Sequence, residues 1–237
     1  MPRPGVSKGD TSDPAEPPLS PLGEGERLSR DEFERRYDAM PDLKKAELLR
    51  GVVYLARPVR IEPHGRPHGW LLYWLHSYEE ATAGVEAACG PTVRLGLESE
   101  PQPDAILRVK PACGGRTTTS VEGYVEGPPE LVAEVSASTA PTDLGLKRDI
   151  YRQMGVFEYL VVRPRTRAVD WFRLEDSAYT RIEPDGDGIQ RSRVFPGLWL
   201  DARALLRGDL RRLKEIVAAG VGSPEHARFV GRVEGAG

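Results

Sequence analysis

The chain has 237 residues, of which 39% are hydrophobic, and it includes four tryptophans. This supports one domain with a substantial core plus tails and leaves little room for a second full domain. The net charge of −3 gives no overall positive field, so any contact with a nucleic acid must be local. Two cysteines are too few for a disulfide framework or a thiolate metal site, and a reduced, cytoplasmic protein is the default expectation.

The N-terminal composition predicts a tail. Residues 1–28 are rich in Pro, Gly, Ser and Glu and offer few apolar side chains to offset the entropy of ordering. We therefore expect a disordered tail over 1–28, one domain over 29–206, and a C-terminal helix and tail over 207–237. No apolar segment resembles a secretory signal or approaches the roughly 18 residues of a membrane helix, so we expect no membrane contact.

The first half of the domain mixes helices and strands. Ser29 followed by Glu32 forms a capping box, which predicts a short helix through residues 30–39 that buries Phe33 and Tyr37. Residues 46–56 predict a strand pair or a bent strand around Gly51. Apolar residues then recur at helical spacing and predict a helix over about 67–82, at Leu71, Trp74, Leu75 and Tyr78.

The second half reads mainly as strands. Short apolar segments separated by Gly and Pro predict strands at 85–89, 91–97 and 103–109, followed by a loop over 110–128. The nearly continuous apolar runs ELVAEVS and VFEYLVV predict strands covered on both faces. A helix over 143–154, ending at Gly155, lies between these runs and predicts a β–α–β unit with parallel strands. A hairpin over 168–184 and a helical region over 202–219 complete a mixed fold.

Three polar residues stand at the edges of the central apolar elements: Asp104, Glu134 and Lys147. Hydrolysis of a phosphodiester needs a cation on a nonbridging oxygen, an attacking water, and positive charge near the transition state. Because Mg²⁺ prefers carboxylate and carbonyl oxygens, one or two acidic residues on adjacent strands suffice to bind it. The three residues therefore suggest the core of a metal-dependent nuclease.

Each of these residues also has a purely structural interpretation. Glu134 lies inside an apolar strand, where a carboxylate is costly unless it binds a metal or pairs in a buried salt bridge. Asp104 follows a proline, and Pro-Asp is common in turns. Lys147 shares one helical face with Asp143 and Tyr151, which is equally compatible with an exposed Asp–Lys pair.

The order of these motifs resembles the Uma-two family of restriction endonucleases, within the PD-(D/E)XK, restriction endonuclease-like superfamily. The resemblance covers roughly residues 28–206, and its most specific block is 130–164. The segments that carry it are ELLRGVVY with Glu47, PDAIL with Asp104, PELVAEVSAST with Glu134, DLGLKRDIYRQMGVFEYLVV with Asp143, Lys147 and Tyr151, and the late RVFPGLWLD.

The resemblance implies an α/β (α+β) fold, with a restriction endonuclease-like core in which helices flank a central mixed β-sheet. It also implies cleavage of DNA, expected to be double-stranded, with Mg²⁺ or Mn²⁺. By that resemblance Asp104 and Glu134 are metal ligands and Lys147 is the catalytic lysine. The standard motif places lysine two residues after the glutamate, where this chain has Ser136, and Lys147 on the following helix replaces it. Glu47 matches an acidic residue that many superfamily members use as a second metal ligand or to orient one.

Several alternatives stay open. Glu47 is also compatible with a solvated glutamate beside Lys44 and Lys45. A noncatalytic descendant of the same fold, acting as a nucleic-acid or protein-binding module, is the second functional hypothesis. The presence of Asp104, Glu134 and Lys147 together favours the enzyme. With one site per chain, cutting both strands of a duplex favours a homodimer.

Other candidate residues are weaker. His64 and His68 precede the second helix, where packing or capping of the helix start is the favoured role for His68; the role of Tyr151 is left open as well. A zinc site formed by these histidines with Cys89 and Cys113 lacks metal-ligand spacing. The DGDG segment at 185–188 lacks the acidic residue that closes a calcium loop, so a hairpin turn is favoured.

Three groups of arginines are candidates for contacts with DNA phosphates. The groups are Arg57, Arg60 and Arg66; Arg163, Arg165 and Arg167; and Arg203, Arg207 and Arg211. The third group would form a continuous stripe only on one unbroken helix, and Gly208 argues for a break.

Overall fold

A computed structural model describes residues 19–56 and 58–235. The α-helices, in chain order, are α1 Arg30–Asp38, α2 Arg66–Glu80, α3 Ala140–Thr142, α4 Arg148–Met154, α5 Ala202–Arg207, α6 Leu210–Val221 and α7 Pro224–Glu234. The strands are β1 Ala46–Leu49, β2 Val52–Leu55, β3 Val85–Cys89, β4 Val93–Arg94, β5 Ala105–Val109, β6 Thr118–Thr119, β7 Val125–Glu126, β8 Leu131–Val135, β9 Glu158–Arg163, β10 Ala168–Glu175, β11 Ala178–Arg181, β12 Gln190–Arg191 and β13 Trp199–Leu200.

A six-stranded mixed sheet forms the centre of the domain, in the order β11-β10-β9-β8-β5-β3. Strands β8 and β9 are parallel, and the other neighbours in this sheet are antiparallel. The parallel pair confirms the predicted β–α–β unit, whose helical segment runs from α3 through a π-helical stretch at Asp143–Lys147 into α4. Gly155 ends this segment with φ 80°. The expected fold class, a mixed central sheet flanked by helices, is confirmed.

Both faces of the sheet are covered, which explains the continuous apolar runs in β8 and β9. Helices α2, α5, α6 and α7 pack on one face, around Trp74, Leu205 and Phe229. Helix α4 and the short strands β4 and β7 pack on the other. Because side chains alternate between faces along a strand, Glu134 shares the α4 face with Val132, its neighbour two residues earlier in β8.

The N-terminal helix and hairpin form where they were predicted. Ser29 accepts a hydrogen bond through its Oγ from the Glu32 backbone nitrogen at 3.3 Å. Phe33 is buried as expected, whereas Tyr37 is only half-buried. Strands β1 and β2 form an antiparallel hairpin around Gly51, whose φ is 73°. Helix α2 buries the four predicted residues Leu71, Trp74, Leu75 and Tyr78.

The structure departs from the expected tail boundary at residue 28. Leu22 is buried beside Phe33. The backbone of residues 25–28 also bonds to the hairpin: Gly25 N donates to Val53 O at 2.8 Å, and Leu28 N donates to Gly51 O at 2.9 Å. Composition misses this packing because backbone hydrogen bonds do not depend on apolar content. The remainder of the expected tail, residues 1–18, lies outside the described residues.

Three further segments differ from their predictions. The expected loop over 110–128 contains the short strands β6 and β7, which form a small sheet with β4. Only Val93–Arg94 of the expected strand over 91–97 is a strand, because the chain turns at Gly96, with φ 64°, and Leu95 N bonds to Ser99 O. The expected C-terminal helical region divides at Gly208, with φ 69°, into α5 and α6. The break that Gly208 predicted is therefore confirmed, and no unbroken helix carries the third arginine group.

The C-terminal helices belong to the main core. Leu213 of α6 and Val233 of α7 are buried in the same cluster as α2. Within residues 19–56 and 58–235, no helix combines the length and apolar character needed to cross a bilayer.

Candidate active site at one edge of the central sheet

Asp104 and Glu134 lie side by side on the inner strands β5 and β8, at the edge of the sheet where β5 begins and β8 ends. Ala105 pairs with Ala133, so the next residues along the antiparallel pair, Asp104 and Glu134, face each other. The Asp104 backbone nitrogen lies 3.3 Å from Glu134 Oε2, and the Val135 backbone nitrogen donates to Asp104 Oδ2 at 2.7 Å. Both carboxylates are buried, with 8% and 3% of their residue surfaces exposed.

Lys147 reaches this edge from the π-helical stretch after β8. Its Nζ donates to Glu134 Oε1 at 2.9 Å and to Glu47 Oε1 at 2.8 Å, and it lies 4.0 Å from Asp143 Oδ1. Lys147 and Asp143 are both buried, so the alternative of an exposed Asp–Lys pair is wrong.

Burial by itself lowers the pKa of Lys147. The charges of Glu134, Glu47 and Asp143 outweigh that effect and raise this pKa well above its ordinary value. The ammonium is therefore charged at neutral pH and lies among three carboxylates.

The pKa values of the two strand carboxylates, Glu134 and Asp104, are shifted in opposite directions. Burial raises the pKa of Glu134, and the negative charge of Asp104 adds to the rise while Lys147 opposes it. Burial also works against ionisation of Asp104, but a hydrogen bond from His64 and the charge of Lys45 lower its pKa to about 2. The raised pKa of Glu134 reflects the cost of burying its negative charge, and a bound cation would offset that cost.

Glu47 belongs to the same cluster. Its Oε1 accepts hydrogen bonds from Lys147 and, at 2.7 Å, from the Gln102 backbone nitrogen. Its side chain is 12% exposed, so the alternative of a solvated glutamate beside Lys44 and Lys45 is wrong. Lys45 instead places its Nζ 3.8 Å from Asp104 Oδ1.

His64 and His68 both contact Asp104. His64 lies in a π-helical stretch at Ile61–Gly65 just before α2, and His68 lies in the first turn of α2, where only packing or capping of the helix start was expected. His64 Nε2 lies 3.1 Å from Asp104 Oδ2, and His68 Nε2 lies 2.9 Å from the Asp104 backbone oxygen. Cys89 Sγ is 3.8 Å from His68 Nε2. The spacing of four residues between the histidines was a signal for one shared helical face, but it did not reveal which carboxylate they meet.

Tyr151, on α4, forms a hydrogen bond with Glu134. Its hydroxyl donates to Glu134 Oε1 at 3.2 Å, and its side chain is fully buried. Together with Lys147 it gives Oε1 two donors, while Oε2 faces the Asp104 backbone nitrogen. Tyr151 therefore does more than pack.

The arginine groups are dispersed around the domain. Arg66 pairs with Glu62 at 2.8 Å, and Arg165 donates through Nε to the Ala137 backbone oxygen at 2.8 Å. Arg163 pairs with the buried Asp170. Arg57 lies outside the described residues.

A comparison with models of protein families shows to which family the chain belongs. A model described as Uma2, "Putative restriction endonuclease", matches residues 30–203. The chain belongs to this family. The match ends within α5, so α6 and α7 lie beyond it. No curated protein matches the chain.

A solved structure shows the same fold. The chain is similar to a crystal structure described as a putative nuclease belonging to DUF820 from Anabaena variabilis ATCC 29413, with a TM-score of 0.52 and 15% sequence identity. The similarity covers 76% of this chain and 99% of that one. At this identity the comparison supports the fold alone.

Proposed function

We propose that this Uma2 protein is a metal-dependent endonuclease that hydrolyses phosphodiester bonds in double-stranded DNA. The observation that carries the proposal is the convergence of Asp104, Glu134 and Lys147, with Glu47, at one edge of the sheet. The Lys147 amine lies 2.9 Å from one oxygen of Glu134, and the other oxygen lies 3.3 Å from the Asp104 backbone nitrogen.

The donor set suits Mg²⁺ or Mn²⁺ but is incomplete on its own. Within the described ranges 19–56 and 58–235, no three His, Cys, Asp or Glu side chains group closely enough to hold a metal. Asp104 and Glu134 offer adjacent hard oxygen ligands, and Mg²⁺ commonly keeps several waters. Glu47 is separated from this pair by the Lys147 amine, so we assign it the role of orienting the lysine. When bound, the cation would polarise a phosphate oxygen and lower the pKa of a water.

The surrounding residues hold the charges in place. Glu47 and Glu134 hold the Lys147 ammonium beside the carboxylates, where it would counter negative charge that develops on a bound phosphate. Tyr151 fixes one oxygen of Glu134. His64 and Lys45 keep Asp104 ionised and therefore able to bind a cation.

A plasmid-nicking assay tests the proposal. Supercoiled DNA is incubated with Mg²⁺ or Mn²⁺, with and without EDTA, and the rate of nicking is measured for the wild type, Glu134→Gln and Lys147→Met. We expect metal-dependent nicking by the wild type and a loss of at least about 100-fold in each variant, the scale of removing one transition-state contact. The control is Glu225→Gln, an exposed position on α7, which should leave the rate unchanged.

Equal background nicking by the wild type and both site variants would refute the enzyme and leave the binding-module hypothesis. We further propose that duplex cleavage is carried out by a two-fold dimer, since each chain has one such site. Sedimentation of the protein on an uncleavable duplex, in the absence of divalent metal, measures that stoichiometry.

A further inference from the structure

A second charged feature lies on the same face of the sheet as Glu134. Glu134 pairs with Val161 across β8 and β9, and Val161 pairs with Asp170 across β9 and β10. Residues paired in this way point to the same face, so Glu134 and Asp170 stand in one row, two strands apart. Neighbouring strands are about 4.8 Å apart, which puts the two backbone positions roughly 10 Å from each other.

Asp170 is buried and is held between two arginines. It is 1% exposed. Its Oδ2 accepts a hydrogen bond from Arg163 Nε at 2.6 Å, and its Oδ1 forms an ion pair with Arg181 Nη2. One carboxylate thus fixes two guanidinium groups, and each guanidinium keeps further N–H donors, because it has five. The side chain of Arg181 is 54% exposed, so these donors can be reached from solvent.

Arg148 adds a third positive charge. It follows Lys147 at the start of α4, and its guanidinium carbon lies 5.7 Å from the centre of the Phe172 ring. The guanidinium carbon of Arg181 lies 5.6 Å from the same ring. Among the described residues, the guanidinium of Arg148 has no carboxylate partner. The three arginines with Asp170 therefore carry a net charge of about +2 in a protein whose overall charge is −3.

We propose that this arginine cluster, Arg148, Arg163 and Arg181, binds the phosphate backbone of a nucleic acid beside the bond that is cleaved. The position of the cluster relative to cleavage rests on the proposed nuclease function. Asp170 is a positioning residue that presents the guanidinium forks of Arg163 and Arg181, whose geometry matches phosphate oxygens.

The geometry favours the phosphate backbone of a nucleic acid over an isolated anion as the ligand of the arginine cluster. Each DNA strand carries one phosphate per about 3.4 Å of helix axis. A strand held at Glu134 therefore has neighbouring phosphates within the roughly 10 Å that separates Glu134 from Asp170. Backbone contacts of this kind fix the register of the substrate without reading its sequence.

Binding of a labelled duplex of about 20 base pairs, measured by fluorescence anisotropy in EDTA across a series of salt concentrations, tests the proposal. For Arg181→Ala we expect the slope of log K against log salt to fall in magnitude by about 0.9, and the affinity to fall roughly eightfold at 0.1 M salt. Arg181→Lys keeps the charge and should retain most of the slope. Arg148→Ala should reduce the slope by a similar amount.

Arg228→Ala is the matched control, because Arg228 is exposed on α7, which packs on the opposite face of the sheet, and it belongs to none of the three candidate groups of arginines. Equal slopes for Arg181→Ala, Arg148→Ala and Arg228→Ala would overturn the arginine cluster, whether or not the protein cuts DNA. Reduced slopes at Arg181 and Arg148 in a protein that cuts nothing would support the cluster and refute the nuclease. An eightfold weakening in Arg181→Ala with an unchanged slope would also overturn it, because the lost contact would not be to a phosphate.

Discussion

Replacing Lys147 by methionine should destabilise the fold as well as stop the proposed cleavage of DNA. The ammonium of Lys147 lies 2.8 Å from a Glu47 oxygen, 2.9 Å from a Glu134 oxygen and 4.0 Å from an Asp143 oxygen, and its side chain is 5% exposed. Methionine keeps most of the apolar stem and removes the charge. Three carboxylates are then buried without their shared cation.

Removal of one partner from a buried ion pair costs about 3–5 kcal/mol, because the remaining charge is left unpaired. For a chain of this size, 1 kcal/mol shifts the melting temperature by about 2–4 °C. We therefore expect Lys147→Met to melt roughly 10 °C below the wild type at pH 8.

The loss of stability in Lys147→Met should depend on pH. Without the ammonium, the pKa of Glu134, already raised by burial, rises further. A carboxyl whose pKa is higher in the folded state contributes stability below its unfolded pKa and loses it as the pH rises toward the folded pKa. The difference between the variant and the wild type should therefore be smallest near pH 5 and grow toward pH 8.

Thermal unfolding followed by circular dichroism in EDTA, at pH 5 and pH 8, measures both effects. EDTA is needed because a divalent cation could replace the ammonium between the carboxylates. Lys214→Met is the control, since Lys214 is exposed on α6 and the same chemical change there should cost less than about 0.5 kcal/mol. Melting of the two variants within 2 °C of each other at pH 8 would refute the reasoning.

Two further variants test neighbouring parts of the structure. His64→Ala removes the hydrogen bond that holds Asp104, so Mn²⁺ affinity measured by calorimetry should fall about 10- to 100-fold. The control is His76→Ala, at an exposed histidine, which should leave the Mn²⁺ affinity unchanged. Equal affinities of the two variants would contradict the role of His64. Burial raises the pKa of Glu158, on the opposite face of the sheet, from 4.5 to about 7. The wild type should therefore lose about 3 kcal/mol of stability as the pH rises from 4.5 to 7, and Glu158→Gln should abolish that part of the slope in urea unfolding; an unchanged slope would exclude Glu158 as its source.

Elements governed by nearby residues could be predicted from the sequence. The cap at Ser29, the apolar spacing of α2 and the stop at Gly155 all depend on neighbours within about one helical turn. The apolar runs of β8 and β9 showed that both faces of the sheet are covered. The sequence also singled out Glu134, because a carboxylate inside an apolar strand is unusual enough to require an explanation. The family resemblance favoured the catalytic interpretation of Asp104 and Lys147 and supplied Glu47.

Contacts between distant parts of the chain could not be predicted in this way. His64 is 40 residues from Asp104, and nothing in the local pattern distinguished it from a residue that packs at a helix start. The pairing of Arg181 with Asp170 depends on the hairpin register, and composition assigned residues 22–28 to a tail because it does not record backbone hydrogen bonds.

The sequence by itself determined most of the main helices and strands and, with the family resemblance, the mixed fold and the acidic residues and lysine that suit phosphodiester chemistry. Only the tertiary structure decided how they interact: Glu47 meets Lys147 across 100 positions of the chain, and Asp104 is held by His64 and Lys45. The physical reason is that periodicity and capping act over a few residues. The charge around a buried carboxylate is set by whichever strands and helices the topology brings to the same edge of the sheet.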